Sequence, residues 1–173
     1  MSSEINNLVK CAKNGSVEAF GELYEIYCKD MYRFAYYYLG ASAPAEDAVS
    51  ECVVIAFEKI GSLRKASAFK PWLFKILHNC CNKALREKML SMQNVEYSSL
   101  LNLSAEGKDE NETISLRNAL AQLSDEEREI VILYYASGYT SKEIGEIMGL
   151  KDSTVRSKIM RSGEKLRTYL QKG

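Results

Sequence analysis

The chain has 173 residues, 23 acidic and 23 basic side chains, one histidine and two prolines. With 46% apolar content it can bury one or two modest cores, but no apolar run approaches the length of a membrane span. No glycine-rich phosphate loop and no assembled catalytic constellation stands out, so an enzyme is not expected.

The neutral sum hides a segregation along the chain. Residues 64–88 hold seven Lys/Arg against Glu87 alone, and residues 151–172 hold seven against Asp152 and Glu164. The balance is restored by residues 18–59, with eight acids and three bases, and by residues 96–129, with nine and three. Two basic patches separated by acidic surface imply two contacts with a polyanion, leaving other faces for protein.

Apolar residues recur at three and four rather than at two, which predicts an all-α fold. In chain order, helices are expected over residues 5–13, 17–39, 45–60, 68–89, 114–123, 125–137, 141–148 and 153–170. Gly40 and Gly61 suit positions just past a helix end, Pro71 suits a first turn, and Ser124 with Glu127 forms a capping-box pattern. The opening MSSEINNLVK lacks a signal peptide's apolar core, and a soluble cytoplasmic protein is expected. Cys11, Cys28, Cys52, Cys80 and Cys81 lack C-x-x-C spacing and lie within apolar helical patterns, so they read as small buried hydrophobes. His78 with Cys81 is too small a ligand set, and neither metal nor cofactor is expected.

On the helix over 45–60, Glu46, Asp47, Ser50 and Glu51 fall on the outer surface, opposite Val49, Cys52, Val53, Ala56 and Ile60. The next segment, GSLRKASAF, is a short basic loop in which an unstacked base could be held. Trp72 reads as a core anchor at the following helix start, with base stacking as the alternative. That helix buries Leu73, Ile76, Leu77, Cys80 and Ala84, while Lys75, His78, Asn79, Asn82, Lys83 and Arg86 gather on the opposite side. Cations mixed with amides fit a nucleic-acid surface better than a merely solubilising one. A polar, aperiodic stretch over 90–112 is the linker candidate and divides two small helical bundles.

The C-terminal bundle carries the sharpest motif, TSKEIGEIMGLKDSTVRSKIMRSGEKL, which reads as a helix-turn-helix with a basic second helix. Gly145 is the small residue where the helices approach, and Gly149 can take the positive φ of the turn. Val155, Ile159, Ser162, Leu166 and Leu170 should face inward. Ser153, Arg156, Ser157, Met160, Arg161 and Glu164 should face outward, with positive charge, hydroxyls and one apolar group suited to base edges in a major groove.

The segments PAEDAVSECVVIAFEKI, FKPWLFKILHNCCNKALREK and LSDEEREIVILYYASGYTSKEIGEIMGLKDSTVRSKIMRSGEKLRTYL together resemble the ECF (extracytoplasmic-function) group of bacterial sigma factors. The resemblance implies a region 2 domain over 1–90, a flexible linker over 91–111 and a region 4 domain over 112–173. It also implies promoter DNA, core RNA polymerase through its β′ clamp helices and β flap, and an anti-sigma factor as partners. By position, Glu46, Asp47, Ser50 and Glu51 correspond to clamp contacts. Arg64, Lys65, Ala66 and Ser67 correspond to the loop capturing a flipped minus-10 base, with Lys75, His78, Asn79, Asn82, Lys83 and Arg86 beside it. Ser153, Thr154, Arg156, Ser157, Met160 and Arg161 correspond to minus-35 contacts. Lys83 and the run His78-Asn79-Cys80-Cys81 depart from the family's usual pattern. The rival expectation is an autonomous dimeric helix-turn-helix regulator, which would prefer palindromic half-sites over two dissimilar elements.

Overall fold

The computed structural model describes residues 2–92 and 110–171, and the regular elements among them are all helical. The first bundle comprises α1 (Ser2–Lys13), α2 (Val17–Leu39), α3 (Ser42–Lys59) and α4 (Phe69–Met92). Helix α2 matches its expected bounds because both ends are chemically marked. The Ser16 side chain accepts from the Ala19 N–H at 3.1 Å, and Gly40, at φ 76°, donates its N–H to the Tyr36 carbonyl. Between these caps Phe20, Leu23, Tyr27, Met31, Phe34 and Tyr38 are buried at helical spacing and form the spine of the bundle.

Helix α3 starts three residues earlier than expected, because Pro44 sits in its first turn, where a missing N–H costs nothing. Gly61 does not take the left-handed position expected of it. It lies in a 3-10 turn, Ile60–Ser62, in which Leu63 donates back to the Ile60 carbonyl, so the chain tightens rather than reverses. A second 3-10 turn, Ala66–Ala68, leads into α4 with Pro71 in the first turn. Leu73, Phe74, Leu77, Cys80 and Cys81 of α4 are buried, while Ile76 and Ala84 are only half-buried. Trp72 is half-buried against Phe69, with ring centroids 5.8 Å apart.

The second bundle comprises α5 (Glu110–Ala121), α6 (Asp125–Val131), α7 (Ser141–Met148) and α8 (Asp152–Leu170). The Ser124–Glu127 capping box is present and starts α6. The helix expected to run on to residue 137 instead widens into a π-helical turn, Ile132–Ala136, where Ser137 donates to the Ile132 carbonyl. Most of the expected linker, residues 93–109, lies outside the described residues.

The two bundles do not stand apart. Ala119, Leu120, Leu123, Val131 and Leu166 form a small cluster within the second. Ile130, Ile132, Leu133, Tyr139, Ile144, Ile147, Val155 and Ile159 instead join the core of the first. Among the cysteines, Cys52, Cys80 and Cys81 are buried as expected, but Cys11 is exposed and Cys28 half-buried. Val9 and Ala12 take the inner side of α1, which turns Cys11 outward.

Candidate nucleic-acid interface

The helix-turn-helix is built from two terminal devices and one close approach. Thr140 and Glu143 form a second capping box that starts α7, and Gly149 ends it at φ 70°. A Cβ at Gly145 would lie 2.6 Å from the Leu150 carbonyl oxygen, so only glycine lets the turn fold back this far. Asp152 then accepts from the Ser141 hydroxyl and pairs through Oδ2 with Arg156 Nη2 at 2.9 Å. The first turn of α8 is thus tied both to α7 and to an outward arginine.

Along α8, Val155, Ile159, Ser162 and Leu166 are buried, whereas Leu170, expected inside, is 43% exposed in the last turn. Ser153, Arg156, Ser157, Met160, Arg161 and Glu164 all face solvent as expected, Met160 being 66% exposed, and Thr154 is half-buried. Two lysines behave differently. Lys158 and Lys165 reach Glu126 and Glu127 of α6, each at 2.6 Å. Exposed pairs of this kind stabilise little, but they withdraw both lysines from the outward face. The Lys165 hydrogen bond holds the Glu127 carboxyl below the usual carboxylate range against its slight burial. What remains outward is a row of two arginines, two serines and a thioether, followed by Glu164 and Arg167 nearer the end of the helix.

The polar side of α4 is partitioned. Lys75, Asn79, Lys83 and Arg86 are exposed. Lys83 Nζ sits 2.7 Å from Glu51 Oε1 on α3, so residues assigned to different partners are paired with one another. That hydrogen bond raises the Lys83 pKa above its ordinary value. On α3, Glu46, Asp47 and Ser50 are exposed beside the half-buried Glu51. In the preceding loop Arg64, Lys65 and Ser67 are exposed and Ala66 is half-buried.

The other edge of α4 turns towards the second bundle. Tyr38 donates its hydroxyl to Asn82 Oδ1 at 2.7 Å, and Asn82 Nδ2 donates to His78 Nε2 at 2.7 Å. His78 Nδ1 lies 2.7 Å from Oε1 of Glu129, a carboxylate only 2% exposed. Burial, followed by the nearby Glu129 and Asp125 charges, pushes the Tyr38 hydroxyl pKa up. Tyr139 packs edge-on against Phe74 with centroids 4.8 Å apart, and Lys70 Nζ stands 3.8 Å from the Tyr139 ring centroid. Lys70 also pairs with Glu143 at 3.6 Å, and Arg33 donates to the Ala136 carbonyl at 3.0 Å.

Arg33, Lys70, Phe74, Glu129 and Tyr139 were all missed as a group by the sequence reading. Glu129 alone carried a signal, being a carboxylate directly at the head of the apolar run IVIL. Its partner stands 51 residues away in sequence, beyond the reach of helical periodicity.

All-α bundles that present one basic helix of a helix-turn-helix and one separate basic, amide-bearing helix have the features of a DNA-binding protein. Comparison with known proteins narrows this. Residues 23–90 match the Sigma-70 region 2 family and residues 113–166 match the Sigma-70, region 4 family. The chain is 28% identical to the ECF RNA polymerase sigma factor SigW of Bacillus subtilis, over 99% of both chains. It is 30% identical to the ECF RNA polymerase sigma factor EcfG of Rhodopseudomonas palustris, over 79% of this chain and 77% of that one. Among solved structures it resembles the sigma factor RpoE from Bartonella quintana, crystallised with the anti-sigma factor NepR. The TM-score is 0.73 at 26% identity, covering 90% of this chain and 98% of that one. The chain belongs to the ECF group of the sigma-70 family and is an RNA polymerase sigma factor.

Proposed function

We propose that the two polar helices divide promoter recognition between them, with α8 reading the minus-35 duplex and α4 holding the melted minus-10 strand. The observation that carries this reading is the outward row on α8. Ser157, Met160 and Arg161 are exposed, and Arg156 is exposed within a surface pair to Asp152 of its own helix, while Lys158 and Lys165 are engaged by α6. Arginine and hydroxyl groups match base edges and phosphates, and Met160 can contact a thymine methyl. Ser153 and Thr154, at the start of the helix, lie where a recognition helix meets the backbone.

The minus-10 strand engages the loop of Arg64, Lys65, Ala66 and Ser67 and the face of Lys75, His78, Asn79, Asn82, Lys83 and Arg86. Capture of an extruded base there offsets the cost of unstacking. Region 2 spans residues 1–90 and region 4 residues 112–173, joined through 91–111. Core polymerase docks its β′ clamp helices on the acidic surface of Glu46, Asp47, Ser50 and Glu51, and its β flap on the C-terminal domain. An anti-sigma factor is a further partner, on the precedent of the Bartonella sigma factor solved with NepR. Among the described helices none is long and apolar enough to cross a membrane, and the protein works in the cytoplasm as a non-enzymatic subunit.

The decisive experiment mixes the purified chain with core polymerase and a promoter library. Transcripts starting at a fixed distance from two dissimilar elements are expected. A preference for palindromic sites without core polymerase would point instead to the dimeric regulator.

A further inference from the structure

We propose that Cys52 of α3 and Cys80 of α4 are a peroxide-reactive dithiol, a modification site at which a hydroperoxide closes the two thiols into a disulfide across the core of the first bundle. The substrate class is small hydroperoxides, hydrogen peroxide first among them. Neither thiol belongs to the surfaces assigned to DNA or to polymerase.

Helices α3 and α4 pack along one another, and their polar contacts fix the register at these two cysteines. Cys52 Sγ lies 3.7 Å from the Leu73 carbonyl oxygen of α4. That carbonyl points along α4 towards Leu77, and the Cβ of Cys80 leans back towards the same turn. On the other side, Glu51, next to Cys52, meets Lys83, one turn beyond Cys80, with Oε1 and Nζ 2.7 Å apart. Between these contacts the Cys52 thiol donates a hydrogen bond to the Cys80 sulfur. Sulfurs already in contact need only small side-chain rotations to reach the ~2.05 Å of a disulfide. Cys52 is fully buried, whereas Cys80 is 3% exposed and follows the exposed Asn79, so a small oxidant has the shorter way to Cys80.

The two sulfurs are not equivalent. The hydrogen bond from Cys52 holds the Cys80 thiol below its ordinary range against burial and the Glu51 charge, and Lys83 adds to the lowering. The same bond, with burial, pushes the Cys52 thiol up, so Cys80 is the nucleophile and Cys52 the resolving thiol. The Cys80 thiolate attacks one peroxide oxygen, the O–O bond breaks, and the departing hydroxide takes a proton to leave as water. Cys80 is then a sulfenic acid. The Cys52 sulfur attacks the Cys80 sulfur, the S–O bond breaks, and the Cys52 proton leaves with the hydroxide as a second water. Two thiols and one peroxide thus give one disulfide and two waters, sulfur being oxidised and peroxide oxygen reduced. Cys81 is fully buried, and its thiol is pushed up by burial and by Cys80, which keeps it out of the reaction. The bridge closes a loop that contains both 3-10 turns, and in a reducing compartment it lasts only while oxidant does.

The test uses the full chain carrying Cys11→Ser/Cys28→Ser, which removes the two more accessible thiols without touching the core. This parent is treated with hydrogen peroxide at low protein concentration, quenched, alkylated in denaturant and mapped by mass spectrometry of its non-reduced peptides. Circular dichroism before and after treatment verifies the fold. The expected product is a peptide pair linked through Cys52 and Cys80 within one chain, lost on dithiothreitol, with Cys81 alkylated throughout. Adding Cys52→Ser, which keeps a hydroxyl donor towards Cys80, should abolish the linked pair and let dimedone trap a sulfenic acid on Cys80. Adding Cys80→Ser should abolish both products. Because the parent itself carries no core substitution, its peptide map decides the matter even if a core variant fails to fold. Cys52 and Cys80 fully alkylated under conditions that oxidise Cys11 of the wild type overturn the proposal. A bridge to Cys81, or one found only between chains, overturns it as well.

Discussion

Helices α4 and α8 have comparable sequence patterns, an apolar stripe opposite a face of cations and uncharged polar groups, yet the fold treats those faces differently. On α8 the cations are sorted by position. Lys158 and Lys165 staple the helix to α6, and Ser153, Ser157, Met160 and Arg161 stay outward. On α4 the face is shared out at both edges, Lys83 to Glu51 of α3 and His78 towards Glu129 of α6. On the proposed division of roles, α8 as a duplex-reading helix needs only to be held rigidly and exposed. On the same proposal α4 meets a strand only after base pairs part, so its polar groups can be engaged within the chain beforehand.

The largest effect that would break this contrast comes from Gly145. Gly145→Ala forces a Cβ against the Leu150 carbonyl and should cost about 1–3 kcal/mol of stability, the range for overpacking. Because the displaced turn sets the entry of α8, duplex binding should collapse. Thermal melting and anisotropy check both halves, and unchanged duplex affinity would break the link between turn and reading helix.

A smaller substitution sharpens the division of labour. Arg161→Ala should cost roughly 1–3 kcal/mol at the upstream element if the guanidinium reads a base bidentately, and should relax preference there. Asn79→Ala should leave that preference intact and slow open-complex formation. Closed-complex binding and permanganate reactivity of unpaired thymines, scored over one promoter series, separate the two. Crossed results would reverse the roles assigned to α4 and α8.

Smaller again is the change expected on α3, which serves as a control for both DNA faces. Asp47→Lys should weaken core-polymerase affinity roughly several-fold at low salt and hardly at all at high salt, since rim charges act mainly through association rate. Circular dichroism should be unchanged. Equal core affinity at low ionic strength would remove the clamp assignment.

The mildest prediction concerns acid. Slight burial of Glu127 is outweighed by the Lys165 hydrogen bond. Burial of Glu143 is outweighed by hydrogen bonds from Thr140 and by Lys70, so both carboxyls titrate below their ordinary values. A depressed folded pKa contributes stability that is complete above the unfolded carboxylate range, about 4.3, and is lost as pH falls through the folded values. Glu127→Gln/Glu143→Gln should therefore lower stability at neutral pH and flatten its loss below about pH 4. Parallel acid titrations of wild type and variant would contradict this.

Local chemistry made much of this molecule legible from its residues. Gly40 marks the end of α2, Ser124 with Glu127 starts α6, and the spacing of Val155, Ile159, Ser162 and Leu166 orients α8. Each of these depends on neighbours within a turn or a stripe, where hydrogen-bond geometry and the helical repeat leave few alternatives. Gly61 misled because glycine permits the left-handed conformation without requiring it, and a 3-10 turn satisfied the same carbonyl. Leu170 misled because a stripe predicts burial only as far as something lies beneath it.

By itself, then, the sequence determined the helical repeat, the caps, the helix-turn-helix and the outward row on α8, all properties of contacts within a few residues. Only the tertiary structure decided that Glu129 meets His78, that Tyr139 needs Phe74 to be buried, and that Lys83 is spent on Glu51. These contacts join residues 32 to 65 positions apart, and no periodicity encodes which buried carboxylate will face which imidazole. That pairing is chosen by how the apolar faces of the two bundles close on each other, because the polar groups must find partners wherever that packing leaves them.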